Sequence, residues 1–165
     1  MSPDKPHFIS TEPIRLLLVD DEKGYVNVLS NRLSRRNMHV TKTYSGEEAI
    51  QAVRNSDFDV AVLDLKMEGM DGIEVLKILK KMDPKLVVIM LTGHGSEEAA
   101  REGIDAGAFD YLTKPCELDD LLAKIQAAYQ SRTKQGSGPG NSNQVSGVRD
   151  RGSGARSQGS EGTDK

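Results

Sequence analysis

Three nearly unbroken aliphatic runs, Ile14–Val19, Val60–Leu63 and Leu86–Leu91, constrain this chain more than any other feature. A strand with one face in water alternates apolar and polar residues, whereas a strand buried on both faces reads as a continuous apolar run. The runs therefore predict central strands of a parallel sheet covered on both sides. A weaker run at His39–Tyr44 and a short one at Phe109–Leu112 predict two further strands, one of them at an edge.

Helical spacing fills the intervals. Val26, Leu29 and Leu33 share one face, as do Val75, Ile78, Leu79 and Met82. Leu118, Leu121, Leu122, Ile125 and Tyr129 form a longer stripe, and shorter Ala-containing helices are expected over Glu47–Asn55 and Ser96–Ala106. Ser45 and Ser96 suit the N-caps of these two, each followed by acids that complement a helix N-terminus. Asp71-Gly72 reads as a turn and helix start. Five alternations of strand and helix predict an α/β domain with a five-stranded parallel sheet. Right-handed crossovers then put helices on both of its faces.

Composition sets the domain limits. Only 36% of the 165 residues are apolar, but the deficit is local. Residues 133–165 contain eight Gly, six Ser and only Val145, Val148 and Ala155 as apolar side chains. Such a segment cannot offset its ordering entropy and is expected to be a disordered tail. Residues 1–12 are expected to be a flexible leader, leaving 13–132 as the folded domain. With 22 basic and 25 acidic residues the net charge is −3, and no basic block suggests nucleic acid or anionic membrane as partner. The single cysteine, Cys116, excludes an intramolecular disulfide or a multi-cysteine metal site, and nothing near it marks an activated thiolate. His7, His39 and His94 are too scattered for a metal site, and Met67 and Met70 are expected to pack their loop. No secretory signal pattern opens the chain and no apolar run approaches the roughly 20 residues of a membrane helix, so a cytoplasmic protein is expected.

In parallel α/β sheets the ligand crevice lies beyond the carboxyl ends of the strands. The first predicted strand ends in Asp20-Asp21, the third in Asp64 and the fourth in Thr92, while Lys114-Pro115 follows the fifth. Asp20 and Asp21 could simply cap a helix starting near Glu22. Thr92 could be a turn residue and Lys114 a loop residue. All four falling by accident at the right strand ends is a poor explanation. Carboxylates held close together call for a divalent cation, and Mg²⁺ needs only one or two of them plus waters and a phosphate. A Lys and a Thr could hold phosphoryl oxygens, and a carboxylate can attack phosphorus to give an aspartyl phosphate.

The stretches LLLVDDE, VAVLDLKMEGMDG, VVIMLTGHGS and AGAFDYLTKP, from Ile14 to about Arg132, resemble the receiver domain of two-component response regulators. The resemblance implies a flavodoxin-like fold with strand order 2-1-3-4-5. It implies Asp64 as the acceptor of a phosphoryl group from a phosphohistidine on a partner kinase. Asp21 would ligate Mg²⁺ directly and Asp20 through water, with the Lys66 backbone carbonyl as a further ligand. Thr92 would be the switch hydroxyl that follows the new phosphate, Lys114 the cation paired with it, and Tyr111 the aromatic that turns inward when Thr92 moves. Gly93 matches a small residue beside the phosphate, and the Lys114–Pro115 bond is expected to be cis. One position departs: many relatives carry Pro where this chain has Glu68, which frees the backbone and adds an acid near the site. Lys66 and His94 occupy positions that tune how long the aspartyl phosphate lasts.

The resemblance therefore implies a phosphorylation switch rather than a turnover enzyme, although the chain would catalyse its own phosphorylation and dephosphorylation. Segments Glu97–Ala106, Asp110–Leu112 and Glu117–Ala128 would reshape to suit a target protein. The expected partners are a sensor histidine kinase or phosphotransfer protein and a downstream target, with dimerisation on phosphorylation as an option. A stand-alone receiver is expected, acting on a target or passing phosphate onward in a phosphorelay. Two other classes compete. A dehalogenase-like phosphohydrolase needs a second Asp two residues after the nucleophile, where this chain has Lys66. A receiver-like docking or dimerisation module loses the acid pair, the acceptor or the lysine, and here all are present.

Overall fold

The computed structural model describes residues 12–93 and 97–137, with side chains to 133. Ten elements follow one another: β1 (Ile14–Val19), α1 (Lys23–Ser34), β2 (Met38–Thr43), α2 (Gly46–Asn55), β3 (Val60–Asp64), α3 (Gly72–Met82), β4 (Val87–Thr92), α4 (Glu97–Asp105), β5 (Asp110–Thr113) and α5 (Leu118–Ser137). All strand pairs are parallel and the order is β2-β1-β3-β4-β5. The described residues up to 132 belong to one compact unit.

The aliphatic runs become the three central strands, with β3 and β4 buried at every residue. Alternate residues serve opposite layers. Leu16, Leu18, Val60, Val62, Ile89 and Leu91 face α1 and α5, meeting Val26, Leu33, Leu121 and Ile125. Leu17, Val19, Ala61, Leu63, Val88 and Met90 face the other layer, meeting Ala49 of α2 and Ile73, Leu76 and Leu79 of α3. Each fully buried Leu or Ile contributes on the order of 1.5–3 kcal/mol. The helices of the second layer sit close: an added Cβ at Gly72 would lie 2.5 Å from the Leu65 Cα, and one at Gly103 would run into Met90.

Three expectations need correction. The buried face of α3 is Ile73, Val75, Leu76 and Leu79, while Met82 is exposed, because the helix starts its core contact at Gly72 rather than Val75. The edge strands are β2 and β5, and each is shifted one residue from its sequence run. Helix α5 runs on to Ser137, five residues into the stretch assigned to the tail, since Thr133, Lys134 and Gln135 carry no helix breaker. The remaining tail, the leader and the Ser96 cap lie outside the described residues. Ser45 and Asp71 do cap α2 and α3, accepting from the amides of Glu48 and Ile73 at 3.1 Å each.

At the amino-terminal end of the sheet, Asp59 is buried between two arginines. Its carboxylate accepts from the Arg15 amide at 2.9 Å and from the Arg15 guanidinium at 2.8 Å, with Arg132 of α5 at 3.4 Å. Burial works against the charge, but the bonds from Arg15 and the nearby Arg132 prevail and hold the carboxyl below its ordinary range. Replacing Asp59 by Asn should cost about 2–3 kcal/mol at pH 7 by leaving the arginine charges unpaired. A carboxyl with a depressed folded pKa stabilises above its unfolded pKa and loses that contribution as pH falls through the folded value. Urea midpoints of wild type and Asp59→Asn should thus differ at pH 7 and converge as pH drops below about 4.

Candidate functional site

Because the strands are parallel, their carboxyl ends deliver Asp20, Asp64 and Thr92 to one edge. Neighbouring backbones fix them there: the Asp20 amide donates to the Thr43 carbonyl, the Leu65 amide to Leu91, and the Lys114 amide to Thr92. Asp20, Asp21 and Asp64 each bring a carboxylate oxygen within 4.8 Å of the others. Asp20 and Asp64 are buried, and only Asp21 opens toward solvent. Asp21, Glu22, Asp64, Lys66, Gly93 and Lys114 line an open cavity of about 370 Å³ above them. Larger depressions over α2 and α4 are surface hollows between charged side chains, with no converging buried groups.

Lys114 is the cation of the cluster. Its Nζ donates to Asp20 Oδ2 at 2.9 Å and Glu22 Oε1 at 3.0 Å, and lies 3.6 Å from Asp64 Oδ2. Burial disfavours the ammonium, but its bonds to Asp20 and Glu22 outweigh this and raise the pKa further, so Lys114 is always charged. The Lys114–Pro115 bond is cis.

Asp64 has weaker support. Oδ1 accepts from the Lys66 amide at 3.1 Å. Burial, aided by the charge of Asp20, pushes its carboxyl up to about 6 despite that amide and Lys114. A buried carboxylate left with so few donors is short of positive charge. An all-oxygen donor set with room for waters fits Mg²⁺.

Thr92 and Tyr111, the two residues expected to act as the switch, lie on neighbouring strands. Thr92 is buried, its hydroxyl donating to the Leu112 carbonyl over a long 3.4 Å. Register pairs Thr92 with Thr113 and Met90 with Tyr111, so Thr92 and Tyr111 share one face of the sheet. Tyr111 is 38% exposed, and Phe109, two residues before it, is also at the surface. Met67 and Met70 pack against the second core layer as expected. His94 lies outside the described residues.

Two participants were not singled out from the sequence. Glu22 is the second anion on Lys114, and Tyr25 places its ring 4.6 Å from the Lys114 Nζ. Glu68, which stands where many relatives carry Pro, donates its amide to Asp21 Oδ2 at 3.2 Å, a bond that Pro at this position could not make. Gly69, with φ +90, turns the loop directly after it.

This fold and site define a flavodoxin-like α/β module with an acid-and-lysine centre at its carboxyl edge. The chain belongs to the response regulator receiver domain family, whose model matches residues 16–126. It is similar to the uncharacterized transcriptional regulatory protein YkoG of Bacillus subtilis, 38% identical over 120 residues, 72% of this chain and 53% of that protein. The transcriptional regulatory protein ZraR of Escherichia coli is 36% identical over 115 residues, 70% of this chain and 26% of ZraR. The chain therefore spans about half and about a quarter of these relatives. Among solved structures, a CheY-like receiver domain protein from Methanospirillum hungatei superposes with a TM-score of 0.72 at 30% identity, covering 75% of this chain and 99% of that one. Among the described residues no helix is long and apolar enough to cross a membrane.

Proposed function

We propose that this chain is a phosphorylation switch in which Asp64 takes a phosphoryl group from the phosphohistidine of a sensor kinase or phosphotransfer protein. The observation that carries this reading is the arrangement around Asp64: a buried carboxyl with its pKa raised to about 6, two further carboxylates and a lysine at one cavity. Asp20, Asp21, Asp64 and the Lys66 carbonyl would hold Mg²⁺, Asp20 through water. Bound there, the ion would neutralise charge on the phosphoryl oxygens.

The chain's own groups supply the rest. An Asp64 oxygen forms the new O–P bond as the P–N bond of the phosphoimidazole breaks and the leaving histidine takes a proton. Mostly ionised at neutral pH, the Asp64 carboxylate is the nucleophile. Lys114, permanently charged, can move from Glu22 to a phosphoryl oxygen. The phosphoryl group brings about −1.5 to −2 charge and three acceptors to the cavity. Thr92 would exchange its 3.4 Å bond to Leu112 for one to the phosphoryl group, and Tyr111 would follow inward. That change would bias the surface of α4, β5 and α5 between two states, and a target protein would read it.

Incubation with Mg²⁺ and a small acyl phosphate, followed by intact mass, tests the reading. A labile adduct of one phosphoryl group that requires Mg²⁺ supports it. No adduct, also with candidate kinases, leaves the docking or dimerisation module. Thr92→Ala should still be phosphorylated, but a ¹⁹F label on Tyr111 should then report the same resonance with and without phosphate. In wild type that resonance should move.

A further inference from the structure

We propose that Tyr25 is a positioning residue for Lys114, holding the ammonium over its ring while the carboxylates around it change partners. The proposal rests on the reading of Asp64 and Lys114 given above. Lys114 has three anionic neighbours, Asp20, Glu22 and Asp64. Two of these would be drawn to a cation, and Asp64 loses its charge when it is esterified. Glu22, whose side chain is 65% exposed, is held only loosely by its surroundings. The Tyr25 ring is the one partner whose interaction survives each of these changes, because it carries no net charge and is no metal ligand here. A cation over an aromatic face gains electrostatic attraction while its N–H groups stay free for oxygen acceptors.

Two features fix the ring in place. Tyr25 packs against the core layer formed by Val26, Leu29 and Leu121. Tyr25 and Cys116, two residues beyond Lys114, line one small pocket together with Leu118 and Leu121, so the ring lies beside both the ammonium and the segment that carries it. Burial pushes the phenol up to about 12, so the ring stays neutral at any working pH.

Tyr25→Phe keeps the ring, and Tyr25→Met keeps an apolar side chain without it. At saturating Mg²⁺ and a small acyl phosphate, Tyr25→Phe should be phosphorylated within about twofold of the wild-type rate, and Tyr25→Met about five- to tenfold more slowly. The ε-methylene protons of Lys114 should be shielded by the ring in wild type and Tyr25→Phe, and should return to ordinary lysine shifts in Tyr25→Met. A purely structural role would lower the melting temperature without this pattern. Should Tyr25→Met fail to fold, Tyr25→Leu carries the same comparison. Wild-type rates in the folded ring-less variant, or Lys114 shifts identical in all variants, overturn the inference alone. A wild-type chain that takes no phosphoryl group overturns the function, and the inference with it.

Discussion

Asp64→Asn is expected to abolish the Mg²⁺-dependent phosphoryl adduct while making the domain more stable at pH 7. The two effects share one cause. Burial and the charge of Asp20 raise the Asp64 carboxyl to about 6, so the fold favours its protonated form. For an acid with a raised folded pKa, ionisation costs stability. The penalty begins above the unfolded pKa near 4 and is complete above the folded value. Asparagine keeps the shape and removes the charge, for a gain of about 1–2 kcal/mol at pH 7 that vanishes toward pH 3. Thermal melts at pH 3 and pH 7 check the sign, and intact mass checks the adduct. Mg²⁺ should stabilise wild type more than the variant, narrowing the gap. An adduct persisting in Asp64→Asn would mean that another aspartate is the acceptor.

Lys114→Met should act in the opposite direction. The substitution keeps most of the volume and removes the ammonium that Asp20, Glu22 and Asp64 share. Asp20 is completely buried, so its charge loses its compensation where water cannot replace it. Breaking such a pair costs about 3 kcal/mol. Divalent cation should restore much of this loss, because it neutralises the same carboxylates, and denaturant midpoints with and without Mg²⁺ would show it. Phosphorylation should stay slow even at saturating Mg²⁺, by about a hundredfold, since a preorganised cation at the transferring group is missing. In an Asp64→Asn background the stability cost should shrink, as one carboxylate fewer is left unpaired.

Both effects could be framed from the sequence because strand ends in a parallel sheet are where side chains converge. Asp64 was legible as a carboxylate closing an aliphatic run, and Lys114 as a charge just past the last strand. The strand order was not legible in the residues: alternation gives a parallel sheet, and the resemblance supplied the order that the structure has. What periodicity could not resolve was α3, where Ile78 and Met82 fit the helical spacing as well as the truly buried Ile73 and Leu76. Propensity patterns do not register the Gly72 contact with Leu65 that sets the rotation of that helix. Glu22 and Tyr25 were missed for a related reason. Each acts through a contact with Lys114, far away in sequence, and the bond from Glu68 to Asp21 comes from the backbone, which leaves no trace in side-chain chemistry.

The edge position of β5 gives the domain an uneven mechanical character. The acids stand on β1 and β3, interior strands hemmed in by helices on both sides, so displacing them would mean breaking the core. Only alternate residues of β5 are even partly covered, and α4 buries just Ala100 and Gly103. Those two elements can shift or fray at little cost, whereas the frame beneath them yields only with the whole fold. A phosphoryl group taken up at the stiff part would thus be answered by the compliant flank, and the acid frame would keep its shape for the next round.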